Sequence, residues 1–127
     1  MLAFENMSSK NTYGIYPEDL QKIFKQCPKA RWACDLNHIY TNDKTMSTVQ
    51  RWHELLGERL THYHISSFGG FHDSFINTLG SGEEIILSGV LDLSKPLIHE
   101  GHAADGGMPH LAAERDFILK YLAQRKK

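Results

Sequence analysis

Only two cysteines, Cys27 and Cys34, occur in the 127 residues, too few to build a disulfide framework. The expectation that follows is a reduced, cytoplasmic protein. Long apolar runs are also lacking, so no segment is expected to span a bilayer. The opening Met-Leu-Ala-Phe-Glu reaches an acid at Glu5, without the basic start and longer apolar run of a secretory signal. Charge of one sign is missing as well. A formal net charge of −1 argues against nucleic acid or an anionic membrane surface as the partner. These absences leave one globular domain, 1–127, long enough for a real core.

Apolar residues in that domain alternate between two periods. Residues 2–5 read as a short buried strand. Pro17, Glu18 and Asp19 then open a helix, since proline suits the first helical position and acids suit the first turn. Leu20, Ile23, Phe24 and Cys27 continue it as an amphipathic stripe, and Pro28 ends it. Residues 31–35 are a second strand and 42–45 a turn. Val49, Trp52, Leu55 and Leu56 form the next helical stripe. Residues 60–66 are a third strand, followed by a glycine-rich loop and a helix from Glu83 to about Leu93. Residues 96–100 are the fourth strand. A last helix covers 111–124, with Phe117, Ile118, Tyr121 and Leu122 as its apolar side. The order is βαβαβαβα, which implies an α/β fold with parallel strands joined through crossover helices.

Each expected strand ends on a side chain able to ligate a metal: Glu5, Asp35, His64 and Glu100. Their intervals are close to the roughly 30 residues of a strand–helix–strand repeat. The four groups therefore belong at the C-terminal edge of the sheet, where barrel enzymes hold their active sites. Three carboxylates and an imidazole make a mixed O/N site for one divalent ion, Mn²⁺ or Zn²⁺, with Mg²⁺ or Co²⁺ as alternatives. Without a cation such carboxylates repel one another. The bland alternative is that each acid caps a helix or pairs with a lysine.

Eight histidines is many for this length. His38 lies three residues past Asp35 and either faces the same site from a loop or lies on the surface. His62 and His64 alternate about Tyr63 and point to one face, with His62 packed or hydrogen-bonded a layer deeper. His53 reads as a surface helix residue. His72 and Asp73 read as solvated loop residues, with a lid pair as the alternative. Gly80-Ser81-Gly82 before Glu83 are read as turn residues, with a phosphate cradle as the alternative. Cys34, Trp32 and Trp52 read as core.

These segments together resemble the xylose-isomerase-like barrel superfamily of sugar-phosphate isomerases, epimerases and apurinic-site endonucleases. Leu2-Ala3-Phe4-Glu5-Asn6 is similar to its fifth strand, Asp35-Leu36-Asn37-His38 to its sixth-strand Asp-x-x-His, and His62-Tyr63-His64 to its seventh-strand His-x-His. Leu79-Gly80-Ser81-Gly82 is similar to its Leu-Gly-x-Gly, and Pro96-Leu97-Ile98-His99-Glu100 to its eighth strand. The resemblance implies four βα units, the C-terminal half of a (β/α)₈ TIM barrel. It implies that Glu5, Asp35, His64 and Glu100 bind one metal, that Glu5 and Glu100 are the catalytic acid/base pair, and that His38 binds substrate. The implied activity is isomerisation or epimerisation of a sugar-like substrate. The alternatives are an endonuclease-like hydrolase and a non-catalytic barrel fragment.

A half barrel would leave strand edges at 2–5 and 97–100 unpaired, and a concave face lined by residues such as Phe4, Ala33, Tyr63 or His62. The expected partner is therefore a second copy, as a homodimer, or a separate N-terminal half-barrel.

Overall fold

The computed structural model describes residues 1–68, 72–75, 91–102 and 107–125. The chain is α/β, with a four-stranded parallel sheet interleaved with helices. It divides into two compact units, Met1–His64 with Leu93–Ile98, and Ile65–Asp92 with His99–Lys127. The glycine-rich motif at 79–82 and the helix expected from Glu83 lie outside the described residues.

In the first unit, β1 (Ala3–Glu5) pairs in parallel with β2 (Arg31–Asp35), Glu5 opposite Ala33. β2 pairs in parallel with β3 (Leu60–Ile65), Ala33 opposite His62 and Asp35 opposite His64. β4 (Leu97–His99) completes the order β1-β2-β3-β4. Tyr63 N donates to Pro96 O at 3.0 Å, and Glu100 N donates to Ile65 O at 2.9 Å. Chain number thus rises along β3 and β4 together, as parallel strands require.

Successive side chains of a strand point to opposite faces. Phe4, Trp32, Cys34 and Tyr63 therefore share one face, and Glu5, Ala33, Asp35, His62 and His64 the other. Helices cover the first. α1 (Pro17–Gln26) buries Pro17, Leu20 and Phe24, and α3 (Val49–Leu56) buries Val49, Trp52 and Leu56. The Trp32 and Trp52 rings stack at 5.8 Å. Tyr63 belongs to this covered layer, because its hydroxyl meets His53 Nε2 at 2.8 Å. Phe4 and Tyr63, expected to line the open face together with Ala33 and His62, thus lie on the helix-covered face instead. His53 is likewise not a surface residue. It is half-buried, edge-on to Trp32 at 5.4 Å, with Nδ1 2.8 Å from Val49 O. Leu55 of the expected stripe instead points outward.

Local chemistry accounts for the helix starts. Pro17 takes the first position of α1, and the Asp19 carboxylate accepts from Tyr16 N at 3.3 Å and Gly14 N at 3.2 Å, satisfying donors the helix leaves open. Gly14 sits at φ +81°, where a side chain is strained, and its carbonyl accepts from Met7 N. A further helix, α2 (Leu36–Asn42), starts directly on Asp35, whose Oδ1 accepts from His38 N at 2.8 Å. His38 is thus a helix residue and not the loop residue expected. Arg59, in the single 3₁₀ turn Gly57–Arg59, lays its guanidinium 4.7 Å over Phe24 and donates to Pro28 O and Ala30 O.

The second unit is organised by α4 (Met108–Arg125). Ile118 is buried, and so is Glu114 one turn before it. The Glu114 carboxylate accepts from Phe75 N and meets His99 Nε2 at 2.8 Å. Phe75, fully buried, stacks on Phe117 at 6.0 Å. His72 and Asp73 are not solvated: both are half-buried, Ser67 N donates to Asp73 O, and His102 N donates to His72 O. Among the described residues, no helix is long and apolar enough to cross a membrane.

Both cysteines are free, Cys27 exposed and Cys34 buried. Burial, aided by the nearby Asp35 and Glu5 carboxylates, pushes the Cys34 thiol well above its ordinary range. One thiol per chain, Cys27, is therefore expected to react with a disulfide reagent in the native protein. Cys34 should follow only on unfolding. Equal native rates would contradict this packing.

Candidate metal centre

Three side chains from the C-terminal ends of three successive parallel strands converge in the first unit. Glu5 ends β1, Asp35 ends β2, and His64 stands one residue before the end of β3. One ligand atom from each lies within 4.8 Å of the others. His64 Nδ1 is 2.7 Å from Glu5 Oε1 and 4.0 Å from Asp35 Oδ2. His38 approaches from the first turn of α2, its Nδ1 3.6 Å from Asp35 Oδ2 and 4.0 Å from Glu5 Oε1.

A residue to which the sequence reading gave no role holds this arrangement. The Asn6 side chain is buried between β1 and β2. Its Nδ2 donates to Asp35 O at 2.8 Å, and its Oδ1 accepts from Asp35 N at 2.8 Å and from Trp32 Nε1 at 3.1 Å. Its backbone carbonyl meets His38 Nδ1 at 2.8 Å. A carbonyl only accepts, so His38 Nδ1 bears the proton, and in the neutral ring the lone pair is on Nε2. The available signal was the polar residue directly after a strand-end acid, on the face opposite to it.

The electrostatics follow from this packing. Asp35 is buried, while Glu5 keeps 29 % of its side chain exposed. Burial opposes ionisation of Glu5, but hydrogen bonds with His64 and Asp35, together with the His38 and His64 rings, outweigh it. Its carboxyl is held below the usual value. Ligand atoms around one Zn²⁺ or Mn²⁺ lie roughly 3–4 Å apart, given bonds of about 2.0–2.2 Å to O and N. The separations in the cluster are close to that range. Two carboxylate oxygens and an imidazole nitrogen are also a donor set such ions accept, so the residues fit a divalent cation.

Glu100 belongs to the second unit. It follows β4 directly, keeps 37 % of its side chain exposed, and lies 3.9 Å from His72 Nδ1. His72 has φ +55°, a conformation rare outside glycine. Gly101 cannot be enlarged, because a Cβ there would meet His99 Nε2 at 2.6 Å and Asp73 O at 2.8 Å.

Comparison with known proteins finds no matching family, no similar characterised protein and no similar solved structure.

Truncating Asn6 would strip a partner from the Trp32 indole and from both backbone groups of Asp35. Asn6→Ala is expected to cost on the order of 3 kcal/mol, because buried groups left without partners are expensive. Urea unfolding followed by fluorescence measures it. An unchanged midpoint would remove Asn6 from this role.

Proposed function

We propose that this chain is the C-terminal half of a (β/α)₈ barrel of the xylose-isomerase-like type, and a metal-dependent isomerase or epimerase of a sugar or sugar phosphate. The observation that carries the reading is the convergence of Glu5, Asp35 and His64 from the ends of three neighbouring parallel strands. That edge is where barrel enzymes do their chemistry. Glu100, directly after β4, is the proposed fourth ligand. The two free thiols accord with work in the reducing cytoplasm.

A divalent ion held there, Mn²⁺ or Zn²⁺ with Mg²⁺ or Co²⁺ as alternatives, supplies Lewis-acid polarisation of a substrate carbonyl. The chain's own residues do the rest. Glu5, the carboxylate that ends β1, takes the proton from the carbon beside the carbonyl. Glu100 returns a proton to the enediolate. His38, its Nδ1 fixed on Asn6, presents Nε2 to the substrate oxygens.

Incubation with ketoses in D₂O and a divalent metal tests the reading. Deuterium is expected next to the carbonyl, at a rate that Glu100→Gln reduces by roughly 10²-fold or more, as for loss of a general acid/base. Calorimetry should find one Zn²⁺ or Mn²⁺ per chain in wild type and none in His64→Ala. No exchange, with nicking of abasic DNA instead, would turn the reading to a phosphodiester hydrolase.

The proposal extends to association. β1 and β4 are the end strands of the sheet order, and Leu2, just before β1, and Ile98, within β4, are exposed. Open strand edges recruit further strands, and closure into a barrel removes them. The working species is then a homodimer or a complex with a separate N-terminal half. Sedimentation equilibrium at micromolar concentration is expected to give the dimer mass for the purified chain, or a 1:1 complex once the other half is supplied. A cooperative monomer that binds metal and turns over substrate would refute this.

A further inference from the structure

His62 stands two residues before His64 on the same face of β3. Their Nε2 atoms are 3.0 Å apart, with the ring centroids at 5.0 Å and the planes inclined by 37°. Two imidazole nitrogens at that distance share one proton: two lone pairs would repel, and two N–H groups would collide. The other nitrogen of His64, Nδ1, faces Glu5 Oε1 at 2.7 Å. The two nitrogens of one ring therefore have separate duties. Nδ1 addresses the carboxylates and Nε2 addresses a second histidine.

When the His64 ring is neutral and its Nδ1–H meets the Glu5 carboxylate, the shared proton between the Nε2 atoms is on His62. We propose that His62 is a positioning residue for His64. It fixes the plane of the ring and lets it change tautomer, so that Nδ1 can turn its lone pair toward a divalent ion. The protons balance. The His64 Nδ1 proton leaves, the proton between the rings passes from His62 Nε2 to His64 Nε2, and His62 takes one up at Nδ1. Both rings are neutral before and after. A ligating histidine whose other nitrogen is hydrogen-bonded in this way is oriented and made more basic. The inference rests on the reading of this cluster as a metal centre, but its first test does not.

That test uses the ¹⁵N-labelled full chain without metal. Long-range ¹H–¹⁵N correlation reads the tautomer of His64 in wild type, His62→Gln and His62→Phe. Zn²⁺ affinity of the same three proteins is then measured by calorimetry. One defined His64 tautomer is expected in wild type and in His62→Gln, whose amide can still bond Nε2. His62→Phe should give averaged signals and bind Zn²⁺ roughly 10–100-fold more weakly, with most of the affinity restored in His62→Gln. If His62→Phe does not fold, His62→Thr, too short to reach Nε2, takes its place. Unaltered His64 signals in the variant overturn the proposal. Altered signals in a protein whose wild type binds no Zn²⁺ support the coupling of the two rings and remove the metal reading alone.

Discussion

Everything at the candidate centre depends on the buried amide of Asn6. β1 has three residues, so its ladder to β2 is short, yet it must hold the Glu5 carboxylate beside that of Asp35. Like charges on neighbouring strands push apart. The Asn6 side chain adds bonds to both backbone groups of Asp35 and to the Trp32 indole, and its carbonyl anchors His38. One residue thus links the end of β1, the end of β2, the core tryptophan and the first turn of α2. Asp35 does double duty in turn, since its Oδ1 starts α2 while its Oδ2 faces His38 and His64.

The alternation of β2 joins the two faces of the sheet. On the covered side Trp32 stacks on Trp52 and meets His53, which reaches Tyr63 on β3. On the other side Ala33, the small residue between Glu5 and His62 in register, leaves room for the longer side chains of its neighbours. Through Trp32 and Asn6 the covered core is in hydrogen-bonded contact with the backbone of Asp35, whose carboxylate stands on the opposite face.

The strand order, α1 and the strand-end residues were legible in the sequence because each rests on local signals: proline and acids at a helix start, a period of about 3.6 or 2 in the apolar residues. What was not legible depends on tertiary partners. α2 is only seven residues long, and its apolar Leu36, Ile39 and Tyr40 stand among a threonine and two asparagines, so little local marked it apart from the Asp35 cap. His53 was read as surface because it is polar, yet it is adjacent to Trp52 and one turn after Val49, on the margin of the buried stripe. Glu114 was missed in the same way, one turn before Ile118. Which sheet face Phe4 and Tyr63 occupy could have been read from the strand period, once Glu5 and His64 were assigned to the site face.

Glu100 shows how backbone packing can prepare a carboxylate without burying it. On one side stands His99, whose Nε2 meets the buried carboxylate of Glu114. On the other stands Gly101, with His99 and the Asp73 carbonyl so close that no side chain fits. Glu100's own N–H donates to Ile65. Its main chain is thus held from three directions, while its side chain stays partly open and near His72. The buried Glu114 would be costly alone, since an uncompensated carboxylate loses its hydration. Bonds from Phe75 N and the His99 ring offset that cost and tie α4 to the residue before Glu100. In the proposed reaction Glu100 returns a proton, and a fixed backbone with an accessible tip suits that role, because proton transfer depends first on geometry and then on pKa.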